Sequence, residues 1–119
     1  MLTTLSQGID TIDIERMRRA LERGGSRFMQ RIFTGEELLG GEDIVFLATR
    51  FAAKEAFFKA LGTGLSGGVR WRDFSLPRGE SGHLLPVISG KSLNLLGKRK
   101  VLVDVASTAK AAVAVVFLA

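Results

Sequence analysis

Residues 42–68 read EDIVFLATRFAAKEAFFKALGTGLSGG, and this stretch decides the architecture. Two acids open it, where they favour the positive end of a helix dipole. Ile44, Leu47, Phe51, Phe58 and Leu61 follow as an apolar face at helical spacing. The pattern predicts one long helix over residues 42–61. Four glycines within residues 62–68 end it and demand a loop.

Towards the N-terminus, Thr34-Gly35-Glu36-Glu37 has the spacing of a capping box, and Gly40-Gly41 stops that turn quickly. Gly24-Gly25 predicts the end of an earlier helix that carries Ile14, Met17 and Leu21, and Ser26 can cap a short piece through Phe33. Residues 2–9 read as a first strand. Towards the C-terminus, residues 69–76 read as a strand, 77–83 as a turn, 84–88 as a strand and 90–96 as a short helix ending at Gly97. Residues 101–105 and 111–118 are strands joined as a hairpin through Ser107-Thr108-Ala109-Lys110. Strand, helices, then strands around one more helix make an α+β fold rather than alternating βαβ units. The expectation is a small single domain over residues 1–119, with a mostly antiparallel sheet packed on one long and several short helices.

The 119 residues hold no cysteine and one histidine. The first excludes a disulfide scaffold, thiolate metal sites and thiol nucleophiles. The second leaves almost no room for a histidine metal cluster or a histidine-based triad. A chain of this length buries about two-thirds of its surface, enough for a core without staples. The first five residues lack the basic and apolar regions of a signal peptide. The longest apolar run, residues 111–119, is too short to span a bilayer. The reading is a cytoplasmic chain with no membrane partner. Lys and Arg number 17 against 12 Asp and Glu, a net charge of +5. Such an excess attracts nucleic acid, an anionic membrane, a phosphorylated small molecule or an acidic protein, and composition does not choose among them.

Two stretches hold candidate chemistry. In Gly8-Ile9-Asp10-Thr11-Ile12-Asp13-Ile14-Glu15-Arg16 an acid stands where a strand gives way to a helix, at the rim where ligands bind. Local spacing alone favours Asp10 as a helix N-cap and Asp13 as a first-turn dipole partner. In the second stretch, Arg50 to Gly64, Glu55 and Lys59 stand four apart on one helix face, with Thr63-Gly64 just beyond. Spacing alone makes this a solvated ion pair worth about 0.3–0.5 kcal/mol. The glycine-rich loop lacks the Lys-Ser/Thr of a P-loop, and no G-x-G-x-x-G follows a strand. Trp71 and the phenylalanines read as core, and His83 as a surface turn residue.

Taken together, these stretches resemble the holo-acyl-carrier-protein synthase family of 4′-phosphopantetheinyl transferases. The family pattern G-x-D-x-x-E-x-x-R is matched by Gly8, Asp10 and Arg16, with Asp13 replacing the usual Glu. The pattern R-F-A-x-K-E-A-x-x-K-A-x-G-T-G is matched throughout by residues 50–64. Gly82, Pro86 and Gly90-Lys91-Ser92 resemble, more loosely, a G-x-P followed by a helix start. The resemblance implies transfer of 4′-phosphopantetheine from coenzyme A to a serine of an acyl carrier protein, with release of adenosine 3′,5′-bisphosphate. It implies Mg²⁺ held by Asp10 and Glu55, with hard oxygen ligands suited to that ion. Glu55 and Lys59 are the catalytic pair it implies. Arg50, Lys54, Lys59, Gly62, Thr63 and Gly64 are the implied coenzyme A contacts. Arg16, Arg23 and Arg27, in a segment that also holds Arg18, Arg19 and Arg31, are the implied contacts for an acidic carrier. A homotrimer with active sites between subunits is implied, and no nucleic acid.

The chain departs from the family at Asp104-Val105-Ala106-Ser107-Thr108. Ser107 stands where the family has His, Asp104 where it has Ser, and Ala111 where it has Tyr. The rival reading is therefore a catalytically impaired enzyme, or a non-enzymatic basic module binding an acidic carrier or nucleic acid.

Overall fold

The computed structural model describes residues 5–39, 41, 43–79 and 83–119. Strand β1 (Ser6–Asp13) leads into α1 (Ile14–Ile32), α2 (Gly35–Leu38) and the long α3 (Ile44–Leu61). A 3₁₀ turn (Trp71–Asp73), β2 (Phe74–Ser75), β3 (Val87–Ile88), α4 (Gly90–Leu96), β4 (Val101–Ser107) and β5 (Ala111–Leu118) complete the chain. The main sheet runs β1-β5-β4, antiparallel throughout, and β2 and β3 pair separately, also antiparallel. This is the expected α+β architecture. No helix among the described residues is long and apolar enough to cross a membrane.

Helix α3 begins at Asp43, whose carboxylate accepts from the Val45 and Phe46 N–H groups, and ends at Gly62 in the left-handed region, φ 87°. The expected first residue, Glu42, lies outside the described residues, as do residues 2–4 of the first strand, Gly40, and residues 80–82 of the turn and third motif. The expected one-sided apolar stripe is corrected by the packing: α3 is buried nearly all round, with Phe46 and Phe57 inside as well as Leu47 and Phe58. One side lies on the sheet; the other is covered by the chain around Phe33, Glu37 and residues 71–76. Burying each of Phe57, Phe58 and Phe74 is worth about 1.5–3 kcal/mol.

Small residues set the distance between α3 and the sheet. Ala52, Ala53, Ala56 and Ala60 are buried in one core cluster with Ala114 and Val116. At Gly8 the backbones approach so closely that a Cβ would overlap the carbonyl oxygen of Ala56 and crowd the N–H of Ala60.

Three local expectations change. Strand β1 runs on to Asp13, so Asp10 is mid-strand; Asp13 is the N-cap, accepting from Arg16 N at 3.3 Å. The expected strand 69–76 shortens to Phe74–Ser75 behind a 3₁₀ turn, because the Asp73 carboxylate folds back to Arg70 N, 3.1 Å, and binds the Ser92 hydroxyl, 2.7 Å. The expected strand 84–88 shrinks to Val87–Ile88. Gly25 breaks α1 as predicted, at φ 57° and ψ −149°, after which helical turns resume. The Thr34–Glu37 capping box is present in both directions.

Replacing Gly8 with Ala should force helix and sheet apart. We expect a loss of about 3 kcal/mol, read as a lowered urea midpoint with an unchanged slope.

Candidate active site

Gly8 and Asp10 lie on the same face of β1, two residues apart, so the close approach at Gly8 presses Asp10 towards α3. Lys59, in the last turn of α3, donates to Asp10 Oδ1 at 2.7 Å and to the Ile9 carbonyl at 3.2 Å. Glu55 sits one turn earlier and lines a cleft of about 460 Å³ with Asp10, Arg16, Arg23 and Phe51. Asp10 and Glu55, 45 residues apart in sequence, thus face one space.

The Asp10 side chain is 10 % exposed. Its Oδ1 is taken by Lys59, while Oδ2 is buried and accepts from nothing. Burial pushes the Glu55 carboxyl up to about 7; the neighbouring Asp10 carboxylate pushes the same way, and the Lys59 and Arg16 charges oppose them. The hydrogen bond to Asp10 holds the Lys59 ammonium above its usual range. An orphaned carboxylate oxygen beside a carboxyl short of positive charge is a donor set that fits a hard divalent cation. Asp10 and Glu55 are the residues that would hold it.

A second cleft, about 260 Å³, adjoins the first through Glu55 and is lined by Lys59, Phe58, Gly64, Leu65 and Trp71. Gly62, Thr63 and Gly64 turn the chain beside it, with Gly62 and Gly64 at positive φ. Arg16 and Arg23 line the larger cleft, whereas Arg27 is exposed beyond the Gly25 break.

Two of the expected coenzyme A contacts, Lys54 and Arg50, are buried. Lys54 is fully buried and ion-paired to the equally buried Glu37 at 2.7 Å. Its ammonium also donates to the carbonyls of Phe74 and Trp71. Glu37 in turn accepts from Thr34 N and Leu76 N, each at 2.9 Å. Arg50 is buried too, with Nε on the Leu76 carbonyl at 2.7 Å and its guanidinium over the Phe46 ring. Burial lowers both pKa values, most strongly opposed in each case by the Glu37 charge. These side chains brace the interior: Lys54 through Glu37 and the carbonyls of Phe74 and Trp71, Arg50 through Leu76, Thr49 and Pro77.

Sequence reasoning missed the Glu37–Lys54 pair, since Glu37 is fully accounted for as a capping residue. It also placed Trp71 in the core. Trp71 is half-buried, stacked on Phe51 at 5.1 Å between ring centres, and lines the second cleft. Asp104 is exposed on the outer face of β4, opposite Val115, and Ser107 is exposed opposite Ala112. His83 is exposed, as expected.

A family model described as the 4′-phosphopantetheinyl transferase superfamily matches residues 6–115. Among curated proteins, the holo-[acyl-carrier-protein] synthase of Koribacter versatilis is 39 % identical over 121 residues, 96 % of this chain and 97 % of that protein. Among solved structures, the Neisseria meningitidis holo-[acyl-carrier-protein] synthase gives a TM-score of 0.85 at 32 % identity, covering 96 % of this chain and 97 % of that one. The Bacillus anthracis holo-(acyl-carrier-protein) synthase, solved in complex with CoA (3′,5′-ADP), gives 0.79 at 31 % identity, covering 95 % and 94 %. The chain belongs to the 4′-phosphopantetheinyl transferase superfamily and, within it, to the holo-[acyl-carrier-protein] synthase family.

Two outcomes follow from the electrostatics. Lys54→Met strands the Glu37 charge and should cost about 3–5 kcal/mol in chemical denaturation, and Glu37→Leu added to it should recover most of the loss. A carboxyl whose folded pKa is raised stabilises most when protonated. The Glu55 contribution is therefore complete below its unfolded value of 4.5 and fades as pH rises through about 7. Glu55→Gln should raise Tm at pH 8 in metal-free buffer and leave it unchanged at pH 4; an equal gain at both pH values contradicts this assignment.

Proposed function

We propose that this chain transfers 4′-phosphopantetheine from coenzyme A to a serine of an apo-acyl carrier protein, releasing adenosine 3′,5′-bisphosphate. The observation that carries this reading is the convergence of Asp10, Glu55 and Lys59 on one cleft, with one Asp10 oxygen unsatisfied. The serine oxygen forms a bond to the phosphorus that bears pantetheine. The bridging P–O bond of the diphosphate breaks, and the nucleotide departs with that bonding pair. Lys59, exposed at its tip and anchored by Asp10, stands to hold the diphosphate and its growing charge. Glu55, facing the same cleft, stands to take the serine proton. Asp10 and Glu55 would hold Mg²⁺, which would supply neutralisation of the diphosphate charge.

The acidic carrier docks on the arginines of α1. Arg16 and Arg23 line the catalytic cleft, so a carrier held there by them, and by Arg27 further along, presents its serine to Lys59 and Glu55. The location in this reading is the cytoplasm. The assembly is a homotrimer with sites between subunits. It is supported by the outer sheet face, where Ile9 is 56 % and Leu102 61 % exposed beside Val113, Val115 and Phe117. That face, apolar apart from Asp104, Gln7 and Thr11, is a surface that a second copy of the chain would cover.

Intact-mass spectrometry of an apo carrier incubated with coenzyme A and Mg²⁺ tests the reading. The carrier should gain one phosphopantetheine, and Asp10→Asn or Glu55→Gln should slow the gain by about 100-fold or more with the fold retained. Arg16→Ala should raise the carrier KM and flatten its salt dependence. A folded protein that modifies none of several carriers overturns the reading.

A further inference from the structure

The main sheet has two edges, and the chain uses them differently. On β1, Lys59 takes the Ile9 carbonyl. On β4, no strand pairs with the side turned away from β5 among the described residues. Lys100 and Ala119 exchange both of their backbone bonds, 2.8 and 3.1 Å, in the register that continues through β4 and β5. Antiparallel pairs alternate. Leu102, Asp104 and Ala106 therefore bond to β5, while Val101, Val103, Val105 and Ser107 turn their N–H and C=O groups to the open side.

Such an edge invites a strand of another molecule. β4 is well made for one: it has seven residues, no proline, and three valines that favour extended backbone. Between residues 101 and 107 the one ionisable side chain is Asp104. Its carboxylate is turned to the open edge. Oδ1 accepts from the Val105 N–H at 2.9 Å, so one of the four open donors is already taken.

A second copy of β4 is the partner this edge would fit. Two-fold antiparallel pairing that uses all four open residues sets Val101 against Ser107 and Val103 against Val105. The two Asp104 residues then fall opposite each other, with Cα atoms about 4.5 Å apart. Like charges directly opposite destabilise a strand pair. Val105 also cannot donate across the joint while Asp104 holds its N–H. The fullest register open to two copies is thus the one that Asp104 obstructs twice.

We propose that Asp104 guards the β4 edge against a second copy of the chain, by withholding the Val105 N–H and by setting a negative charge at the centre of the joint. The inference is independent of the transferase reading. It gives a role to the charge that departs from the otherwise apolar run of residues 101–106.

Light-scattering chromatography of the whole chain over a range of concentrations tests it. Wild type sets the baseline for copies that associate through the outer sheet face. Asp104→Val should elute at about double the wild-type mass or more. Ser107→Pro added to it should restore the wild-type mass, because proline there removes a donor on the open side and none on the β5 side. An Asp104→Val protein of wild-type mass overturns the proposal. A gain in mass that survives Ser107→Pro also overturns it and assigns the added association to the outer face. Amide hydrogen exchange reads the guard in wild type itself. The Val105 amide should exchange about 10-fold more slowly than the Val103 amide on the same edge, and equal rates overturn the proposal.

Discussion

The close contact of α3 with β1 is the constraint on which the site depends. A strand face without a side chain at Gly8 lets Ala56 and Ala60 come to backbone distance. The residue before each of these is Glu55 or Lys59, and the next residue on the same face of β1 is Asp10. Helix and strand repeats differ, 3.6 against 2 residues, so few pairs stay in contact along a crossing. Here the contact is spent on two alanines and a glycine, and the polar trio emerges at its edge. The acids are not in the core, where an unpaired charge would be prohibitive, nor wholly in water, where their mutual influence would be weak.

The order Lys54-Glu55 then separates two tasks between neighbours. Consecutive residues on an α-helix point about 100° apart. Lys54 turns away from the sheet to Glu37 and the carbonyls of residues 71 and 74, while Glu55 turns to the cleft. One basic residue of the motif therefore braces the wall that the acidic one faces. Lys59, one turn further on, is the basic residue that reaches Asp10.

Local chemistry explains which parts were readable in the sequence. The capping box, the Gly62 stop, the Gly25 break and the C-terminal hairpin all follow from residues within a few positions of each other, and all are present. The strand expected over residues 69–76 failed because Asp73 finds Ser92, 19 residues away, and the chain curls to meet it. Asp10 read as a cap because a strand end cannot be located to within three residues by composition. Inward-facing Arg50 and Lys54 were unreadable as such: a basic residue on a helix is ordinarily solvated, and nothing near it announces Glu37 or the Leu76 carbonyl as a partner. The Asp10–Glu55 meeting was visible only through resemblance, since no spacing rule links a strand to a helix 45 residues later.

The bend at Gly25 divides the basic helix into two arms. Arg16 and Arg23 belong to the first and Arg27 and Arg31 to the second. No atom lies within 4 Å of where a Cβ would sit, so backbone torsion alone favours glycine there. Positive φ with ψ near −150° is a combination that only glycine adopts readily, so any side chain there strains the backbone. A substitution at this one solvent-facing position would thus press both on the aim of Arg27 and Arg31 and on Ile32, buried near the end of the same arm. The direction of the second set of positive charges is fixed by the interior that anchors it.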